Sequence, residues 1–304
     1  KEQNSILIQI SESILWTIVT LTVLGFSLHH FVNSSINYQV LRNFSILLVL
    51  MYAAVYINNM NITFMQLYSA MDMTNQLISE VASWAISHFF KIAVICLLAH
   101  YVVTTQSHFK KAPSLLPSII NGIFLGCLLM GGRYLITQYS LPEADWQLGK
   151  LILVSGKIPW LGAVDISLQY LMITLFALAA CLYTMTRKPS IYRYLFAVVM
   201  LTLVVKSVSF EHRVFITPEF LHLKVYGVIF LIICLCWKRI IRNDPLTIPA
   251  LTATVLIIHL CMLNKNPVSP DYASVIGVSI AKIMIWATVI LTLLHGNQKI
   301  QPNK

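Results

Sequence analysis

Four cations stand inside stretches of this chain that are otherwise apolar: Lys91, Arg133, Lys206 and Lys282. A charge in hydrocarbon is expensive, so each needs a partner, a watered cavity or a way to reach the surface. His88 precedes Lys91 by three positions, which on a helix puts both on one face. Further on, Glu211, His212 and Arg213 are consecutive, placing an acid, a base and a cation at one helix mouth. Neighbours on a helix point about 100° apart, so their reaction partners must come from other loops. Together these residue types suit a phosphate, a pyrophosphate or a carboxylate. The lysines would act as point charges, and Arg133 would offer a bidentate fork. We therefore expect Glu211 and His212 as the acid or base, and Lys91, Arg133, Lys206, Lys282 and Arg213 as ligands of the anion.

Each of these residues also has a plainer reading. Lys206 lies near the end of its apolar run and can snorkel. Lys91 and Arg133 can do the same, or pair with outer acids such as Glu80 and Asp145. Glu211 to Arg213 can form a solvated loop. Asp165 opens an apolar run and can simply complement a helix N-terminus. Lys282 is the hardest to explain away, because it sits deep in the last run. No metal or cofactor is expected. The six cysteines (Cys96, Cys127, Cys181, Cys234, Cys236 and Cys261) all lie in apolar runs and form no CxxC pair. No nucleophile elbow, phosphate-binding glycine loop or zinc signature is present.

The elements that must position these residues are membrane spans. Of the 304 residues, 58% are hydrophobic and 11% charged, with a mean hydropathy of +0.76. A soluble domain carries about 25% charged residues, so the whole chain, residues 1–304, reads as a single integral membrane domain. Runs near the length of about 20 apolar residues that crosses a bilayer begin near Ser13, Phe44, Trp84, Ile119, Val164, Tyr192, Leu223, Ile248 and Tyr272. The expected fold is an all-α polytopic transmembrane bundle of about nine spans, or about eight if one run does not cross. The first, second and eighth runs are expected to be short. The first lacks a small-residue cleavage site and reads as a retained span. Between Phe64 and Ala85 apolar and polar positions alternate with helical spacing. This predicts an outer interfacial helix near residues 64–83 leading into the third span. The stretch Leu151–Val154, in a loop with Trp146 and Trp160, could dip into the bilayer.

Charge orients the spans. Lys110-Lys111, Arg187-Lys188 with Arg193, and Lys238-Arg239 with Arg242 fall on one side, while most acids fall on the other. By the positive-inside rule the basic side is cytoplasmic, and so is the C-terminus. The net charge of +10 follows from the same bias. The basic residues lie at helix ends without interleaved aromatics, so no nucleic-acid partner is expected.

The stretch Leu41-Arg42-Asn43-Phe44-Ser45-Ile46-Leu47-Leu48-Val49-Leu50-Met51-Tyr52 resembles the opening of the integral-membrane acyltransferases that modify cell-surface sugars. His88-Phe89-Phe90 through Lys110-Lys111, with Pro113 to Pro117, is similar to that family's next span and basic loop, and Trp160 through Leu178 to a later span. The resemblance implies acyl transfer, and only Arg42 carries over. Where the family has its catalytic histidine this chain has Ala53, next to Tyr52, and an additional span precedes the match.

The function expected from the residues is that of a bacterial-type inner (plasma) membrane protein. It would bind an anionic cell-envelope substrate, a lipid-linked sugar, glycan or phospholipid, in an outward-facing cavity, with acyl or glycosyl transferase-like chemistry. Two other readings stay open: an organic-anion transporter or channel, and a non-catalytic subunit of a larger membrane complex. Scarce glycine, and no matched helix breaks in two halves, weigh against a transporter built from inverted repeats. Membrane lipid is an expected partner in all three.

Overall fold

The computed structural model describes residues 2–34, 38–66, 72–106, 114–138, 159–186, 190–210, 219–241, 244–263 and 270–299. Among the described residues there are nine α-helices and no strands. They are α1 (Glu2–Asn33), α2 (Tyr38–Gln66), α3 (Met73–Gln106), α4 (Leu115–Gln138), α5 (Pro159–Met185), α6 (Ile191–Phe210), α7 (Glu219–Cys236), α8 (Thr247–Leu263) and α9 (Pro270–Lys299). A short π-helical turn, Trp237–Ile241, extends α7.

Helix starts are written in short polar residues and prolines. Ahead of α3, the Asp72 carboxylate accepts a hydrogen bond from the Thr74 N–H at 3.3 Å, as an N-cap does. α5 and α9 begin on Pro159 and Pro270, where the missing N–H costs nothing. The Asp244 carboxylate accepts from the Leu246 N–H at 3.1 Å and from the Thr247 hydroxyl at 3.0 Å. This turn leads the chain into α8 and leaves the carboxylate buried but satisfied. It accounts for the one acid that the charge pattern places on the basic side.

α5 is the axis of the bundle. Of its apolar stretch, 72% is buried, against 17% for α1 and for α3. It packs on α9, α3, α6, α8, α2 and α1. α1, α2, α3, α4 and α9 turn large apolar side chains outward instead, among them Leu21, Leu50, Phe89, Phe124 and Ile285. That inside-out distribution suits lipid as the solvent. The most extensive helix pairing is between α4 and α8, and it rests on Gly122 and Gly126. A Cβ on Gly122 would lie 2.5 Å from the Ala250 Cβ and 2.6 Å from the Thr247 carbonyl oxygen. One on Gly126 would lie 2.7 Å from the Thr254 Cβ. This is a G-x-x-x-G seam, in which small residues let two backbones approach in a setting without a hydrophobic drive between helices. Two polar clips tie α8 to α5. The Tyr170 hydroxyl donates to the Pro249 carbonyl at 3.1 Å, and the Thr174 and Thr252 hydroxyls bond at 2.9 Å.

The expected count of about nine spans is not confirmed by the described residues. Six helices, α1 to α5 and α9, are long and apolar enough to cross a membrane. The apolar portions of α6, α7 and α8 (Ile191–Val205, Val225–Cys236 and Thr247–Met262) are shorter. The first two runs, read as short or extended at their ends, lie within long helices of 32 and 29 residues. The sequence pattern marked only their most apolar middles. The interfacial helix near residues 64–83 is not a separate element. Its first residues end α2, and from Met73 onward it is the start of α3, which is helical throughout to Gln106. Helical spacing was read correctly there. It carries no mark of where one helix stops and the next begins. Leu151–Val154 lies outside the described residues.

Candidate functional site

The site is built on heptad stripes. On α3, Trp84, His88, Lys91, Ile95, Leu98 and Val102 recur at the spacing of one helix face. Ile95 and Leu98 are fully buried, so this face is turned to the bundle. Trp84 and His88 are half-buried, and Lys91 is exposed. The stripe therefore enters the core at Ile95 and is open from Lys91 upward. Phe89 and Phe90, on the other faces, remain 69% and 65% exposed. α2 matches it with Leu48, Tyr52 and Val55, all buried. α5, mostly enclosed, has a half-buried stripe before its last turns: Leu161, Asp165, Gln169, Met172, Ile173 and Phe176. That stripe is polar at Asp165 and Gln169 and apolar beyond.

Four rings join α2 to α3 at this level. Tyr56 and Trp84 have centroids 4.6 Å apart. Trp84 stacks on His88 at 4.7 Å, and Tyr52 meets His88 edge-on at 4.7 Å. The His88 Nδ1 lies 2.8 Å from the Trp84 carbonyl oxygen. A carbonyl can only accept, so Nδ1 carries the proton and Nε2 is the acceptor of the neutral ring. Asp165, brought in by α5, interacts electrostatically with Lys91, His88 and Tyr52. Its carboxylate accepts a hydrogen bond from the Gln169 amide at 3.3 Å. Three helices thus bring a cation, a carboxylate, an imidazole and three phenol or indole rings to one place. Chemically the arrangement can hold a charged headgroup, and Nε2 can take a proton.

Of the residues expected from sequence, Lys91 is in this group. Arg133 is half-buried on α4, whose neighbours are α8 and α7. Lys282 is half-buried on α9, which packs on α5, α8 and α3. Lys206 lies in α6, and its side chain is outside the described part. Glu211, His212 and Arg213 lie outside the described residues. Sequence reasoning passed over Tyr52, Tyr56 and Trp84, and held Asp165 both as an acid at a candidate catalytic position and as a helix-dipole partner. The available signal was the matching of an intramembrane acid with an intramembrane base on another run.

A second polar group joins α1 to α3 farther along. His30 Nε2 and the Thr104 hydroxyl are 2.7 Å apart, and so are the Ser34 hydroxyl and His100 Nε2. The His30 and His100 rings are 6.2 Å apart. These bonds satisfy buried polar atoms between two helices.

Described residues that are helical throughout, with six helices able to cross a bilayer and a polar group between three helices, mark an integral membrane protein. The chain matches no protein-family model, and no curated protein and no solved structure matches it.

Proposed function

We propose that this chain is a bacterial-type inner-membrane protein that binds an anionic cell-envelope substrate, a lipid-linked sugar or a phospholipid. The binding recess would open to the outer leaflet, and the chemistry on the substrate would be transferase-like. The observation that supports this is Lys91, exposed on the bundle-facing stripe of α3 beside the half-buried polar end of α5. A lysine kept open on an inward face is placed to receive an anion, whereas a snorkelling lysine would leave from a lipid-facing position. Arg133 and Lys282 would add positive potential from α4 and α9, and Glu211 or His212 would serve as acid or base. In this reading the C-terminus is cytoplasmic, and the site lies in the extracytoplasmic half.

The test is retention of an anionic phospholipid, phosphatidylglycerol, by the detergent-purified full chain. Lys91→Gln, Arg133→Gln and Lys282→Gln are each expected to reduce retention severalfold in protein that still elutes as one folded species. Retention in the triple variant equal to that of the unaltered chain would exclude the reading.

A further inference from the structure

Lys91 and Asp165 carry opposite charges on packed helices and act on each other across space. Among the described residues no hydrogen bond or ion contact joins them directly; the hydrogen bond of Asp165 is with Gln169. A touching pair would satisfy itself. A separated pair leaves a cation on one helix and a carboxylate on the other, neither neutralised by direct contact with the other. On the α2–α3 side of the group stand the half-buried rings of Tyr56 and Trp84, in contact with each other. The Tyr56 hydroxyl oxygen is buried and makes no hydrogen bond, an unsatisfied polar atom beside the group that calls for a partner. Beyond Asp165 and Gln169, the same stripe of α5 becomes Met172, Ile173 and Phe176.

A purely anionic headgroup fits Lys91 but lies against the carboxylate. A purely cationic one fits Asp165 and is repelled by the lysine. A zwitterion satisfies both, with its phosphate on Lys91 and its ammonium on Asp165 and the aromatic rings. We propose that the Lys91–Asp165 gap binds the headgroup of a zwitterionic aminophospholipid, with an acyl chain along Met172, Ile173 and Phe176. This rests on the reading of Lys91 as an anion ligand and narrows it to one headgroup class.

The full chain, purified in micelles containing equal phosphatidylethanolamine and phosphatidylglycerol, is read by native mass spectrometry. The expected result is retention of phosphatidylethanolamine over phosphatidylglycerol by about tenfold. Asp165→Asn is expected to erase that preference while phosphatidylglycerol is still held, and Asp165→Glu to restore it. Lys91→Gln is expected to lose both lipids, and Met172→Trp to weaken retention of long-chain lipid. Equal retention of the two lipids by the unaltered chain, or a preference that survives in Asp165→Asn, overturns the zwitterion site. If phosphatidylglycerol retention still depends on Lys91 in that case, the anion reading stands alone. If Lys91→Gln holds both lipids normally, both proposals fail. Soluble phosphoethanolamine at matched concentration is expected to leave the lipid bound. Displacement at parity would assign the site to a free headgroup and overturn the lipid.

Discussion

Two residues show how far a side chain can be read alone. Lys91 and His88 are legible because a cation and an imidazole three positions apart in an apolar run must share a helix face. Asp165 is legible only in part, because a carboxylate near a helix start stands out as an acid but also has a local explanation in the dipole. Its partners, Tyr52, His88 and Lys91, come from two other helices, and nothing in spacing along the chain announces them. Asp244 makes the complementary point, since its role is wholly local. Asp244→Ala removes acceptors from the Leu246 N–H and the Thr247 hydroxyl, and should cost about 1–2 kcal/mol. A matching fall in the thermal midpoint of the detergent-solubilised chain would check it. Tyr170→Phe deletes the donor to the Pro249 carbonyl, for a smaller loss of about 1 kcal/mol.

At the scale of elements, composition and periodicity give the helices, and packing gives their rank. All nine expected runs coincide with helices of the structure. Their lengths do not follow, because polar turns at either end of a run can stay helical when capped, as α3 does behind Asp72. The α4–α8 seam is a second element-level result. Sequence analysis did not single out Gly122 and Gly126, and only the fold shows the partner they approach, α8. Gly122→Ala forces its new Cβ onto the Ala250 side chain and the Thr247 backbone. Separation of the two helices should cost about 1–3 kcal/mol. Gly131→Ala, where nothing lies within 4 Å of the added Cβ, should leave the unfolding temperature unchanged or slightly raised. Equal behaviour of the two variants would show that close approach does not hold α4 to α8.

At the scale of the molecule, a chain this apolar can only arrange helices in lipid, and its basic loops choose a direction. A reporter fused after Lys304 is expected to be active on the cytoplasmic side, and one active only outside would invert the orientation. The class of solvent, the helical content and the register of apolar runs were decided by the sequence itself, because they depend on local hydropathy and on hydrogen bonds satisfied within each segment. Which helix became the axis, which glycines met which partner and which charges came to face one another were decided by tertiary structure. Those depend on contacts such as that of Gly122 with Ala250 and on charges that act across space, such as Lys91 and Asp165, between residues that lie far apart along the chain and have no periodic signature.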